Sequence, residues 1–159
     1  MTQVQEVTLF DKNVMELANR AARGECIVRE ELGISDAEME AMYTVAYNLF
    51  QNAKYDDAAK CFCLLSMFDP LQYKYMFGIA SCFHMKSEYE MASMYYVMSS
   101  ALDEDQPAPF LHAAECLIAM KDNDAAKDSL RITLARAGEA SHFAPIRQRA
   151  EVMLSNLNA

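Results

Sequence analysis

Apolar residues return every three to four positions along most of this chain, the period of a helix that buries one face. Leu9, Phe10, Val14, Leu17, Ala18 and Ala21 form the first such stripe, which ends at Gly24. A shorter helical turn is predicted from Glu25 to Leu32, before Gly33. Three helix pairs follow, at about 39–53 with 55–68, 74–86 with 89–102, and 108–120 with 123–137. Ser35-x-x-Glu38 reads as a capping box opening the first pair, and Ser87-x-x-Glu90 as one opening the fourth paired helix. Pro145 opens a final helix that keeps Ile146, Ala150, Met153, Leu154 and Leu157 on one side. Helix breakers are scarce, with four glycines and four prolines. Apart from Gly78 they fall at element ends: Gly24, Gly33, Pro70, Pro107, Pro109, Gly138 and Pro145. Gly78 lies inside a predicted helix, where close packing against a neighbour, or a local kink, explains it.

The pairs repeat. Met42, Val45, Ala46 and Leu49 recur as Met76, Ile79, Ala80 and Phe83, then as Phe110, Ala113, Ala114 and Leu117, each time 34 residues on. Tyr55, Ala58 and Phe62 recur as Tyr89, Ala92 and Tyr96, and more weakly as Asn123, Ala126 and Leu130. This period, with small residues at Ala46/Ala58, Ala80/Ala92 and Ala114/Ala126, is the tetratricopeptide pattern. The alanines let two antiparallel helices approach where a large side chain would hold them apart. The fold class is therefore all-α: a tetratricopeptide-like superhelix of three helix pairs, with N-terminal helices and a C-terminal capping helix. Residues 1–34 form an N-terminal helical segment and 35–159 the repeat domain, with repeats at about 39–72, 73–106 and 107–140 and a cap at 141–157. A cap is required because each repeat exposes an apolar face that only a neighbour covers. The N-terminal stripe of Leu9, Phe10, Val14, Leu17 and Ala21 exceeds what one cap needs, leaving surface for a second copy of the chain.

In stacked pairs the first helix of each repeat lines the concave face. Its uncommitted positions here hold Tyr43, Tyr47 and Phe50; Phe77, Ser81 and His84; Leu111, Glu115 and Ile118. Tyr and Phe supply apolar area while tyrosine hydroxyls offer hydrogen bonds to a peptide backbone. Met42, Met76, Met85 and Met120 on the same helices would let such a groove adapt to irregular ligands. The alternative is that several of these rings belong to the inter-repeat core. A clamp for a C-terminal carboxylate would need Lys, Arg and Asn in these slots, which instead hold Tyr43, Tyr47, Phe77 and Glu115. The better ligand is an extended apolar segment of another protein.

Composition narrows the function. The formal net charge is −9, and no Lys or Arg occurs between Ser87 and Met120, which disfavours nucleic acid as a partner. No apolar run approaches the roughly 18 residues of a membrane span. MTQVQEVTLF has no basic region leading into an apolar one, so a secretory signal is not expected. Five cysteines without repeating spacing fit reduced thiols better than a disulfide framework. Cys61-x-Cys63 has the wrong spacing for a zinc half-site. His84, His112 and His142 share no spacing with each other or with a cysteine that a metal would demand, and His112 reads as satisfying a local hydrogen bond. There is no phosphate loop and no nucleophile elbow. Neither enzyme nor cofactor is expected.

Three stretches then resemble a known family. Met42-Tyr43-Thr44-Val45-Ala46-Tyr47-Asn48-Leu49-Phe50, the Tyr55-x-x-Ala58-x-x-x-Phe62 run with Asp69 after it, and above all Phe110-Leu111-His112-Ala113-Ala114-Glu115-Cys116 are similar to the class II chaperones of bacterial type III secretion. The resemblance covers roughly residues 30–155, with departures at Pro109 and Ser81. It implies a cytoplasmic protein that keeps a hydrophobic, pore-forming translocator soluble before export by holding an extended client segment in the groove. Carried over, the groove positions are Tyr43, Tyr47, Phe50, Phe77, Leu111 and His112. Family members often dimerise through N-terminal helices, which suits the stripe from Leu9 to Ala21. The competing reading is a general tetratricopeptide scaffold or regulatory adapter for another protein partner.

Overall fold

Six alanines set the architecture. Ala46, Ala58, Ala80, Ala92, Ala114 and Ala126 are each 0% exposed, at the crossings within the three helix pairs. The computed structural model describes residues 13–158, in which every regular element is helical. A helix over 13–22 (α1) leads to a single turn at Val28–Glu31 (α2). The pairs are α3 (Asp36–Gln51) with α4 (Tyr55–Phe68), α5 (Tyr73–Met85) with α6 (Tyr89–Ser100), and α7 (Ala108–Ala119) with α8 (Asn123–Ala137). A 3₁₀ turn at Ser141–Phe143 precedes α9 (Ala144–Asn158). From α3 to α9 each helix packs on the next, which is the nearest-neighbour order of a solenoid.

Helix ends differ from the predicted ones for identifiable reasons. α3 begins at Asp36 because Ser35 caps it: Ser35 Oγ accepts from the Glu38 amide at 3.3 Å and Glu38 Oε2 accepts from the Ser35 amide at 2.8 Å. The box expected at Ser87-x-x-Glu90 does not form. Ser87 has φ +61° and closes α5 instead, while Glu88 precedes α6 without a side-chain cap. Ala53 (φ +58°) and Lys121 (φ +66°) occupy the same place in the other repeats. At each site the next amide reaches back across the turn, Lys54 to Leu49, Glu88 to Phe83 and Asp122 to Leu117, all at 2.9 Å. These are Schellman closures in which Ala, Ser or Lys takes the left-handed position usually given to glycine.

Three buried clusters follow the repeats. Met39, Phe62, Leu65, Tyr75, Ile79 and Cys82 fill the first, Tyr96, Ala113 and Cys116 belong to the second, and Leu111, Leu130 and Ala150 to the third. α9 covers the last repeat with Ile146, Met153, Leu154 and Leu157, as the sequence pattern required. At the other end α2 packs on α4. Arg29 ties it there, 2.7 Å from Asp36 Oδ1 and 3.5 Å from the buried Asp69 Oδ2.

Gly78 is explained by contact. A Cβ there would sit 2.7 Å from Cδ1 of Phe62, whose ring lies flat against α5. Gly78→Ala gains helix propensity of up to about 1 kcal/mol, yet it forces this ring out of its site. Overpacking of this kind costs typically about 1–3 kcal/mol. The expected result is a net loss of stability in urea unfolding; an unchanged or raised midpoint would refute the contact argument.

Candidate functional site

α3, α5 and α7 place their uncommitted side chains on one side of the stack. Between α3 and α5 this leaves a trough of about 450 Å³. Its walls are Tyr43, Tyr47 and Phe50 on one flank and Tyr73, Phe77 and Ser81 on the other, with Phe62 and Gly78 below. Tyr47 is 48% exposed, whereas Tyr43, Phe50 and Phe77 are half-buried. Spacing explains the alignment, because residues four apart on a helix share a face. Tyr43 and Tyr47 stack with centroids 6.4 Å apart, and Tyr73 and Phe77 lie 5.4 Å apart. Tyr73 was not singled out in the sequence, although extending the Phe77 stripe one turn towards the N-terminus reaches it.

Charge at the trough is restrained. Lys74 borders it, but its Nζ lies 2.6 Å from Glu40 Oε2 and 4.4 Å from the centre of the Tyr43 ring. A cation engaged twice in this way is a poor carboxylate clamp. Burial pushes the Tyr43 phenol above its ordinary value, so the hydroxyl stays a neutral donor and acceptor.

Beyond Phe77 the wall turns polar. The Phe77 ring meets His112 at 5.7 Å, and His112 in turn lies 6.2 Å from His84. His112 Nδ1 sits 2.9 Å from Glu115 Oε2, the local hydrogen bond expected of it. Glu115 Oε1 is 2.6 Å from Arg149 Nη2 of α9. Burial opposes ionisation of Glu115, but the His112 hydrogen bond and the neighbouring positive charges outweigh it and hold the carboxyl below the usual range. Burial lowers His84 and favours its neutral imidazole. The Tyr96 hydroxyl lies 3.3 Å from His84 Nδ1 and donates to Ser81 Oγ at 3.4 Å.

The candidate groove residues therefore divide. Tyr43, Tyr47, Phe50, Phe77 and Ser81 share the trough, and His84, His112 and Glu115 gather at its α7 side. Leu111 does not belong to either set. It is 2% exposed and packs inward on α8 and α9, because its position on α7 faces the third cluster. Ile118 is half-buried on α7. The methionines also differ from expectation: none lines the trough among the described residues, and Met42 and Met76 pack against the first core cluster. His84 and His112, unrelated in sequence spacing, meet because α5 and α7 are neighbours in the stack. In the N-terminal stripe Val14 is exposed while Leu17 and Ala21 are half-buried; Leu9 and Phe10 lie outside the described residues. No described helix is long and apolar enough to cross a membrane.

No protein-family model matches the sequence. Among known proteins, the low calcium response locus protein H of Yersinia pestis is 28% identical over 121 residues, spanning 76% of this chain and 72% of that protein. PcrH from Pseudomonas aeruginosa is 30% identical, with a TM-score of 0.75 over 79% of this chain and 96% of that one. The type III secretion translocator chaperone SycD of Yersinia enterocolitica is 27% identical, with a TM-score of 0.75 over 79% of this chain and 95% of its own. SycD has been solved as a dimer and in complex with a peptide of the translocator YopD. Matches of this extent carry the whole helical stack and not one repeat, and with the Phe110–Cys116 motif they place the chain in the class II chaperone family of bacterial type III secretion.

Proposed function

We propose that this chain binds an extended, apolar segment of a hydrophobic translocator in the trough and keeps that protein soluble until export. The observation that carries the reading is the open aromatic wall of Tyr43, Tyr47, Phe50 and Phe77 in a fold whose relative SycD holds a peptide of the translocator YopD. An extended strand offers side chains to two walls at once, which suits a trough flanked by α3 and α5. His84, His112 and Glu115 supply polar contacts at one end, and Ser81 offers a hydroxyl partway along. The work is binding and not catalysis. It takes place in the bacterial cytoplasm, before the client reaches a membrane in which it would insert. The stripe of Leu9, Phe10, Val14, Leu17 and Ala21 serves a homodimer, by analogy with the SycD dimer.

Co-expression tests this directly. A translocator encoded beside this chain is expected to move from inclusion bodies into the soluble fraction and to co-purify with the chaperone. A translocator that stays insoluble and uncaptured would overturn the proposal.

A further inference from the structure

We infer that His84, His112 and Glu115 form a binding site for one divalent transition-metal ion of the zinc type, at the α7 side of the groove. One ligand atom from each residue can be chosen so that all three lie within 4.8 Å of one another. His112 and Glu115 stand three apart on α7, a spacing that presents both to one face. His84 comes from the facing helix α5, so the site is closed by the packing of two repeats. Imidazole and carboxylate are the donors of two-histidine, one-carboxylate sites, which leave further positions open for water or another ligand.

The surroundings favour the ion. Tyr96 stacks on His112 with centroids 5.4 Å apart and meets His84 edge-on at 5.9 Å, which backs both rings with an apolar wall. Glu115 Oε1 is buried, and its one close partner is the Arg149 guanidinium at 2.6 Å, from a side chain that is itself largely exposed. Bond lengths of about 2.0–2.2 Å require donors somewhat closer together than they stand, a contraction that half-buried side chains make by rotamer adjustment. Arg149 opposes the ion. Its side chain is largely exposed and pairs with Glu115, so it acts as a built-in competitor for that carboxylate.

The site goes beyond client capture and is tested without any client. Zn²⁺ is titrated into the full chain by calorimetry, with Co²⁺ spectra recorded in parallel. One ion per chain is expected, with affinity rising from Mn²⁺ through Co²⁺ to Cu²⁺, and Zn²⁺ weaker than Cu²⁺. His84→Ala and Glu115→Gln should each weaken Zn²⁺ at least about tenfold, since loss of even an outer partner of a metal costs that much. Arg149→Gln should tighten it. Circular dichroism checks folding, and His84→Gln replaces any His84→Ala protein that fails. Absent saturation, affinity unchanged in the His84 and Glu115 variants, or a thiolate charge-transfer band in the Co²⁺ spectrum (ligation by cysteine) would each overturn the assignment.

Discussion

Replacing Tyr47 and Phe77 together by alanine should weaken capture of an apolar translocator peptide by about 30- to 700-fold. The figure follows from ring burial. Each groove ring that becomes covered by client contributes about 1–2 kcal/mol, and the pair about 2–4 kcal/mol, with each 1.4 kcal/mol worth a factor of ten. The two positions lie on opposite flanks of the trough, so their losses add through the client and not through each other. Tyr47 is half-exposed and its truncation leaves the core untouched. Phe77 also meets Tyr73, Tyr96 and His112, so part of its loss appears as stability, and Phe77→Leu serves as the control that keeps apolar volume. Fluorescence anisotropy with a labelled client peptide reads the affinity, and circular dichroism confirms retained helix. Unchanged affinity in a folded double variant would mean that the client lies elsewhere.

The repeat was legible because it rests on small residues. A chain that places alanine at Ala46, Ala80 and Ala114, and again at Ala58, Ala92 and Ala126, declares where helices cross, and all six are fully covered. Bounds were harder to read where they depend on backbone conformation without a residue signal. Ala53, Ser87 and Lys121 take left-handed geometry that sequence rules reserve for glycine, and Ser87 imitated a helix cap for the same reason. The trough was readable as a stripe on α3 and α5, since four-residue spacing puts Tyr43 and Tyr47 on one face of α3 and the 34-residue repeat puts Phe77 at the place of Tyr43 on α5. It failed at Leu111. A first helix has a core-facing side as well as an open one, and α9 covers α7 from a direction that the period alone does not specify. The meeting of His84, His112 and Glu115 was out of reach for a related reason: it depends on how far one repeat rotates on the next.

Leu111 and Leu130 carry the other large expected effect. Leu130 is 0% exposed and shares the third cluster with Leu111, Ala114 and Ala150, under the cover of Ile146, Met153 and Leu154. Leu→Ala at a site this enclosed costs about 2–5 kcal/mol, through lost transfer energy and the cavity left behind. With urea slopes of about 1–3 kcal/mol/M, a loss near 3 kcal/mol moves the midpoint down by about 1–3 M. The location of the damage matters as much as its size. In a stack coupled only through neighbours, weakening the α7–α8–α9 layer should uncouple that end first, while α3, α4 and α5 keep their own cluster. Hydrogen exchange in Leu130→Ala should therefore rise across α7 to α9 and stay near wild type along α3 and α5. Leu111→Ala should behave the same way, with peptide affinity at the α3–α5 trough preserved wherever the protein is folded. A Leu111→Ala protein of native stability and impaired client binding would return that side chain to the groove. Uniform exchange through every helix would show that the stack melts as a single unit, with the cap holding the trough in shape from a distance.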